Sequence, residues 1–167
     1  MTIRSAGILL YRHSSSGQLE LWIAHMGGPF WAHKDAHAWS IPKGEFPDDE
    51  DPLVAAIREF TEEIGTPPPT ANYHFLGIFR QPSGKLITVF SAEADFLPEK
   101  IVSNTFPLEW PEDSGVIKEF PEIDDARWFE EAEARTKLVK GQLSIVDALV
   151  RHLGDSAKQR FDGGASG

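Results

Sequence analysis

Apolar residues recur with the period of a helix in one stretch of the chain, residues 52–64. Asp51 is a good N-cap for this stretch, and Pro52 suits the first helical turn, where a missing N–H loses no helical partner. Gly65 follows at the point where a left-handed residue would end the helix. At about 100° per residue the apolar positions fall on one stripe, which we expect to be buried. The stripe consists of Leu53, Ile57, Phe60 and Ile64.

Other parts of the chain alternate in the manner of strands or carry short continuous apolar runs. The patterns predict strands over 3–12, 18–26, 72–80, 85–96 and 124–130, and short helices over 130–138 and 145–153. Residues 97–122 contain several prolines and are predicted to form an irregular connection, of a length that is often functional. This order of elements predicts a mixed sheet with helices packed on it. We expect one domain over residues 1–154 and a flexible tail over 155–167.

Composition narrows the class of protein. The chain has 167 residues, 41% of them hydrophobic and 25% charged, which suits one globular domain with a real core. The net charge is −10 and lysines and arginines do not cluster, so we expect no nucleic-acid duplex as partner. There is no cysteine, and the apolar run near the start is too short for a signal or membrane segment. We expect a cytoplasmic protein without a membrane partner; the oligomeric state stays open.

Carboxylates are concentrated around the predicted helix, with eight in the 23 residues 44–66. Glu59, Glu62 and Glu63 share an arc about 100° wide, where their charges repel unless a cation lies between them. Hard divalent cations such as Mg²⁺ take oxygen ligands of this kind, often together with a substrate phosphate. Arg58 can hold one carboxylate through a bidentate contact. The alternative is a solvated acidic helix face, which is the commoner role of a run of charges.

A wider pattern surrounds this helix: Gly44, five residues, Glu50, seven residues, and then REFTEEIG over 58–65. The pattern resembles the signature of the Nudix hydrolase family at all the fixed polar and glycine positions. Thr66 departs from it, since the family usually has an aliphatic residue there. The resemblance continues in the first strand, in WSIPKGE before the helix and in ARWF after it, and so covers roughly residues 3–153.

The resemblance implies a mixed α+β fold, the Nudix α/β/α sandwich around a mixed β-sheet. It also implies hydrolysis of a nucleoside diphosphate linked to another group, with Mg²⁺ or Mn²⁺ as cofactor. The metal ligands carried over are the Gly44 carbonyl, Glu59, Glu62 and Glu63. Arg58 is carried over as support that orients a glutamate. Glu50 is either linked to the metal or paired with Arg58.

The general base is left open among several glutamates. Members of the family take the proton from water with a glutamate of the signature or with one on a later loop. The first kind is represented by Glu59 and Glu63, and the second by Glu122 and Glu119. A base must lie within hydrogen-bond reach of the water, so the choice depends on geometry that the sequence does not contain.

Residues 29–43 form a loop rich in aromatic residues and lysines. Phe30 and Trp31 can stack on a base or pack within the protein, and Lys34 and Lys43 can meet phosphates. The chain looks closest to a bacterial group of predicted nucleoside triphosphate pyrophosphohydrolases, and RWFEEAEA resembles diadenosine polyphosphate hydrolases. We therefore expect a nucleoside triphosphate or dinucleoside polyphosphate as the small-molecule substrate. The alternatives are a nucleotide-sugar or ADP-ribose pyrophosphatase, and a catalytically silent nucleotide-binding regulator or sensor.

Overall fold

The structure, a computed structural model, describes residues 2–164. The strands are β1 (Arg4–His13), β2 (Leu19–Met26), β3 (Trp39–Ser40), β4 (Lys43–Glu45), β5 (His74–Arg80), β6 (Leu86–Glu93), β7 (Thr105–Glu109), β8 (Ile117–Pro121) and β9 (Ile123–Glu130). The helices are α1 (Pro52–Ile64), α2 (Glu131–Lys137) and α3 (Leu143–Gly164), with a 3-10 turn at Lys140–Gln142. None of the helices in the described part of the chain is both long and apolar enough to cross a membrane.

A seven-stranded sheet forms the centre of the fold. Its main order is β3-β2-β1-β6-β5, with β4 paired to β1 and β9 paired to β2. β1 runs parallel to β6 and antiparallel to β2, so the sheet is mixed, as predicted. β7 and β8 form a separate two-stranded hairpin.

Helices cover both faces of the sheet. On one face Ile8 and Leu10 of β1 pack in a core with Phe60 of α1. On the other face Leu9 packs in a second core with residues of α2 and α3, such as Leu149. Because neighbouring side chains of a strand point to opposite faces, burial on both sides explains why β1 is continuously apolar. This layering confirms the α/β/α sandwich.

Helix α1 has the predicted limits. The Asp51 carboxylate accepts hydrogen bonds from the N–H groups of Leu53 and Val54, both at 3.1 Å. Gly65 ends the helix with φ 88°, in the left-handed region where glycine alone avoids steric strain. Both ends of α1 are therefore determined by local sequence.

Several predicted boundaries differ from the structure. The predicted loop 29–43 contains β3 and the first residue of β4, and the strands predicted over 72–80 and 85–96 are shorter. The two largest differences lie nearer the end of the chain. Residues 97–122, expected to be irregular, contain the hairpin of β7 and β8; Pro107 lies within β7 because an isolated two-stranded ribbon leaves an outer edge without ladder bonds. Helix α3 extends past residue 153 as far as Gly164, through most of the segment expected to be a tail. The end of that expected tail, residues 165–167, lies outside the described residues.

Candidate active site

The three glutamates of α1 differ in their exposure. Glu62 is exposed, Glu59 is half-buried, and Glu63 is buried with 8% of its surface exposed. The helix places them this way because Phe60 and Ile64, their neighbours along the chain, are fully buried against the sheet. The arc of carboxylates therefore runs from Glu62, which faces solvent, to Glu63, which is buried next to β4.

Arg58 holds the carboxylates on the exposed side of this arc. Its Nε and Nη2 donate to the two carboxylate oxygens of Glu50, at 3.1 and 2.8 Å. Its Nη1 donates to Glu59 Oε1 at 2.8 Å and to Glu62 Oε1 at 3.4 Å. These hydrogen bonds lower the pKa of Glu50, and they raise the pKa of Arg58 well above its ordinary value. Of the two roles expected for Glu50, the geometry shows the ion pair with Arg58.

Glu63 has a different environment. Its Oε2 accepts a hydrogen bond from the backbone N–H of Lys43 at 3.2 Å. Burial raises the pKa of Glu63 to about 8, although the charge and backbone N–H of Lys43 act in the opposite direction. The negative charges of Glu122 and Glu59 raise this pKa further. A divalent cation bound beside Glu63 would lower this pKa and favour the ionised carboxylate.

Gly44 brings the backbone of β4 against the helix. A Cβ atom at this position would lie 1.8 Å from Oε2 of Glu59 and 2.1 Å from its carboxyl carbon. No larger residue fits while Glu59 keeps this rotamer. The structure therefore places the β4 backbone and the Glu59 carboxylate side by side, and their role as two ligands of one metal stays a prediction.

Glu122, on the link between β8 and β9, joins the same group from a distant part of the sequence. Burial raises its pKa, the charge of Glu62 raises it further, and Lys43 lowers it. Glu119, the other distal candidate, lies on β8, where its Oε2 accepts a hydrogen bond from Thr105 Oγ1 across the hairpin at 2.9 Å. The charge of Glu122 thus acts on the carboxylates of α1, whereas the carboxylate of Glu119 is hydrogen-bonded within the hairpin.

The donor set suits a hard divalent cation. Carboxylate and backbone carbonyl oxygens are the ligands that Mg²⁺ takes, and their crowding is unfavourable without a cation. Within residues 2–164, no three carboxylate or imidazole groups stand in a ready-made metal arrangement. In the structure, Arg58 donates hydrogen bonds to Glu59 and Glu62, and Glu63 accepts one from the backbone N–H of Lys43. The chemistry fits a metal, and binding would require these side chains to reorient toward it.

A cavity of about 480 Å³ lies beside Lys43. Trp31 and Lys43, two of the expected substrate residues, both line it. Lys34 has its Nζ 5.3 Å from the centre of the Trp31 ring, in a cation–π contact. Phe30, 59% exposed, instead meets Trp110 beyond the end of β7, edge to face at 5.7 Å. The loop therefore divides its aromatic residues between the cavity and the hairpin.

Several residues that line this cavity were not predicted from the sequence as substrate-binding residues. Gln81 and Lys85 come from the turn between β5 and β6, and Ser5 comes from β1. The turn was recognisable from PSGK, but nothing in the sequence placed it next to Lys43. Trp110 was missed because the hairpin itself was not predicted.

The NUDIX domain family model matches residues 1–149 of the chain. The protein therefore belongs to the Nudix hydrolase family, whose fold and signature are those described above. No match is found among curated protein sequences.

Solved structures with the same fold include proteins of different function. An Ap4A hydrolase from C. elegans has a TM-score of 0.63 and 19% identity, over 92% of this chain and 98% of that one. The NUDIX domain of NrtR from Shewanella oneidensis, in complex with ADP ribose, has a TM-score of 0.62 and 15% identity, over 92% and 89%. MutT from Aliivibrio salmonicida or Vibrio cholerae has a TM-score of 0.53 and 17% identity, over 89% and 96%. At these identities the similarity shows a shared fold and leaves the substrate open.

Proposed function

We propose that this protein uses Mg²⁺ or Mn²⁺ to hydrolyse a phosphoanhydride bond in a nucleoside triphosphate or a dinucleoside polyphosphate. The observation that carries the proposal is the convergence of Glu122 with Glu59, Glu62 and Glu63 at the β4 backbone. A structural role would not need four mutually repelling carboxylates, three of which (Glu59, Glu63 and Glu122) are partly or fully buried with a raised pKa. Perturbed titratable groups of this kind cluster at functional sites.

The proposed metal ligands are the carbonyl of Gly44 and the carboxylates of Glu59, Glu62 and Glu63. A bound divalent ion would neutralise phosphate charge and polarise the P–O bond. Arg58 would keep Glu59 in place, with Glu50 holding the other side of the guanidinium in a bidentate contact. Glu50 thus supports the ligands.

Glu122 is our choice of general base. In the described part of the chain its carboxylate makes no hydrogen bond, whereas Glu59 is held by Arg58 and Glu63 by Lys43 N–H. In the proposed step a water oxygen attacks phosphorus and its proton passes to a carboxylate oxygen of Glu122. The bridging P–O bond breaks, and the departing phosphate keeps the electron pair of that bond.

The cavity beside Lys43 would hold the nucleoside. Trp31 offers a ring on which a base can stack, and Lys43, which lines the same cavity, has a positive charge that acts on Glu63 and Glu122. Such an arrangement suits a substrate with a base at one end and a phosphate chain leading to the metal. The Ap4A hydrolase of similar fold is named for a substrate of this form.

The test is a hydrolysis panel with Mg²⁺, with Mn²⁺ and with chelator, containing nucleoside triphosphates, diadenosine tetraphosphate, ADP-ribose and a nucleotide sugar. Products would be separated by chromatography, and a Glu63→Gln variant purified in the same way would control for contaminating phosphatases. Metal-dependent turnover of the first two classes, lost in the variant, supports the proposal. Turnover of ADP-ribose or the nucleotide sugar alone would reassign the substrate.

A second candidate is a nucleotide-binding regulator. The specific observation is the similar fold of the NrtR domain, which was solved with ADP ribose bound. This candidate predicts nucleotide binding by calorimetry without turnover of any substrate in the panel. The complete set of glutamates in α1 favours the enzyme.

A further inference from the structure

Glu122 is separated from α1 by a long stretch of sequence, so its position depends on other residues. The backbone N–H of Asn104 donates to the carbonyl of Glu62 at 2.9 Å. The carbonyl of Asn104 accepts in turn from the backbone N–H of Glu122 at 3.0 Å. Asn104 therefore spans the last turn of α1 and the proposed base with two backbone hydrogen bonds.

Ser103 reinforces this connection. Its hydroxyl donates to the carbonyl of Asn104 at 2.7 Å and accepts from the backbone N–H of Ile123 at 3.1 Å. Ile123 is buried, and it follows Glu122 directly. The Ser103 hydroxyl thus connects the carbonyl that binds Glu122 with the backbone of the residue that follows Glu122.

Gly27 holds Glu122 from the opposite side. Its backbone N–H donates to the carbonyl of Glu122 at 2.8 Å. A Cβ atom on Gly27 would lie 2.1 Å from the carbonyl oxygen of Pro121, so any larger residue must displace the link itself. The obstructing atom belongs to the backbone and cannot move aside as the end of a flexible side chain could.

We propose that Ser103, Asn104 and Gly27 are positioning residues that fix Glu122 against the carboxylates of α1. The inference rests on the proposed role of Glu122 as general base. Rate depends steeply on such placement, since an error of about 1 Å can cost about 100-fold. Two separate segments of the chain, one with Ser103 and Asn104 and the other with Gly27, would therefore determine one catalytic distance through the backbone of Glu122.

The main test is Ser103→Ala, which removes the hydroxyl and little volume. We expect kcat to fall about tenfold and KM to change less than about twofold, because a displaced base affects the transition state more than substrate binding. The matched control is Ser114→Ala, since Ser114 Oγ accepts from the N–H of Val116 at 3.2 Å in the exposed hairpin turn. Gly27→Ala is expected to lower kcat further, about 100-fold. Its control is Gly154→Ala, where an added Cβ meets nothing within 4 Å.

Two readouts separate positioning from general destabilisation. In the background of Glu122→Gln, Ser103→Ala should have no further effect on kcat, because residues that act through one group are not additive. In the metal-free protein, amide hydrogen exchange at Glu122 and Ile123 should become faster in Ser103→Ala and stay unchanged in Ser114→Ala.

Opposite results would overturn the inference. A wild-type kcat in Ser103→Ala, or an equal loss with and without Glu122→Gln, would show that the contact does not act through Glu122. Full activity of Glu122→Gln beside an inactive Glu63→Gln would also overturn it while leaving the proposed hydrolysis intact. Full activity of Glu63→Gln would instead contradict the proposed function. If Gly27→Ala does not fold, Ser103→Ala still decides.

Discussion

Glu50 and Glu63 belong to the same signature and have opposite environments. Both oxygens of Glu50 accept from the guanidinium of Arg58, and these hydrogen bonds lower its pKa. Glu63 is buried with one backbone N–H for its Oε2, and burial raises its pKa to about 8. The contrast teaches that carboxylates of one signature can lie in opposite surroundings: both oxygens of Glu50 are paired with a permanent cation, whereas Glu63 has no side-chain hydrogen-bond partner among the described residues and is available for a cation supplied from solution. Identical side chains take different roles through their surroundings.

The largest effect expected from this contrast is that of Glu63→Gln on activity. The substitution keeps the shape of the side chain and removes its capacity to become a negative ligand. Changes around a metal site commonly cost about 10- to 100-fold, and we expect loss of a direct ligand to exceed about 100-fold in kcat. Steady-state kinetics at saturating Mg²⁺ measures this, and a rate near that of wild type would contradict the metal assignment.

The second effect is a dependence of stability on pH in the metal-free protein. The pKa of Glu63 is raised in the fold from 4.5 to about 8, so the native state binds more protons than the unfolded state between these values. Its contribution to the free energy of unfolding is complete below about pH 4.5 and is lost as pH rises toward 8. The loss should be on the order of a few kcal/mol. Glu59 and Glu122, whose pKa values are also raised, should change stability in the same direction.

Urea denaturation with chelator at several pH values measures this dependence. The profile of Glu63→Gln should be flatter, because glutamine does not titrate. Saturating Mg²⁺ should remove the decline in wild type by stabilising the ionised form. Stability of wild type that rises steadily from pH 5 to 8 in chelator would show that Glu63 is not the buried acid described here.

A smaller effect is expected from Glu50→Gln. One charged partner of Arg58 is lost while the guanidinium keeps its contact with Glu59, so the ligand is loosened and not removed. We expect kcat to fall about tenfold, at the lower end for residues that support a metal ligand. Asp49→Asn, an exposed neighbour, is the control. A decrease in kcat as large as that of Glu63→Gln would indicate that Glu50 is itself a metal ligand and would contradict the difference in role between Glu50 and Glu63.

The smallest effect concerns the cavity and not the carboxylates. Trp31→Ala should raise KM for purine nucleotides several-fold with little change in kcat, since stacking on a base is worth about 1–3 kcal/mol and the phosphate end is untouched. The matched control is Trp110→Ala, since Trp110 lies in the turn between β7 and β8 and packs against Phe30, away from the cavity. An unchanged KM in Trp31→Ala would assign this residue to packing alone.

The sequence by itself determined the helix that carries most of the proposed metal ligands. Asp51, Pro52 and Gly65 define its ends through bonds and φ values within a few residues, and the apolar stripe defines its buried face. The positions of Arg58, Glu59, Glu62 and Glu63 around the helix axis then follow from the helical period alone. All of these are local properties, which is why the limits of α1 could be predicted.

Only the tertiary structure distinguished the surroundings of Glu122 from those of Glu119, and it alone gave Glu63 its buried environment. The backbone of Glu122 is bonded to Asn104, which is bonded in turn to α1, and also to Gly27. Both residues are distant from Glu122 in sequence, whereas Glu119 is hydrogen-bonded within a hairpin that was not predicted. The cavity likewise joins Trp31, Lys43 and Lys85 from three separate segments. Contacts of this kind depend on how the strands assemble, and no local pattern of residues encodes them.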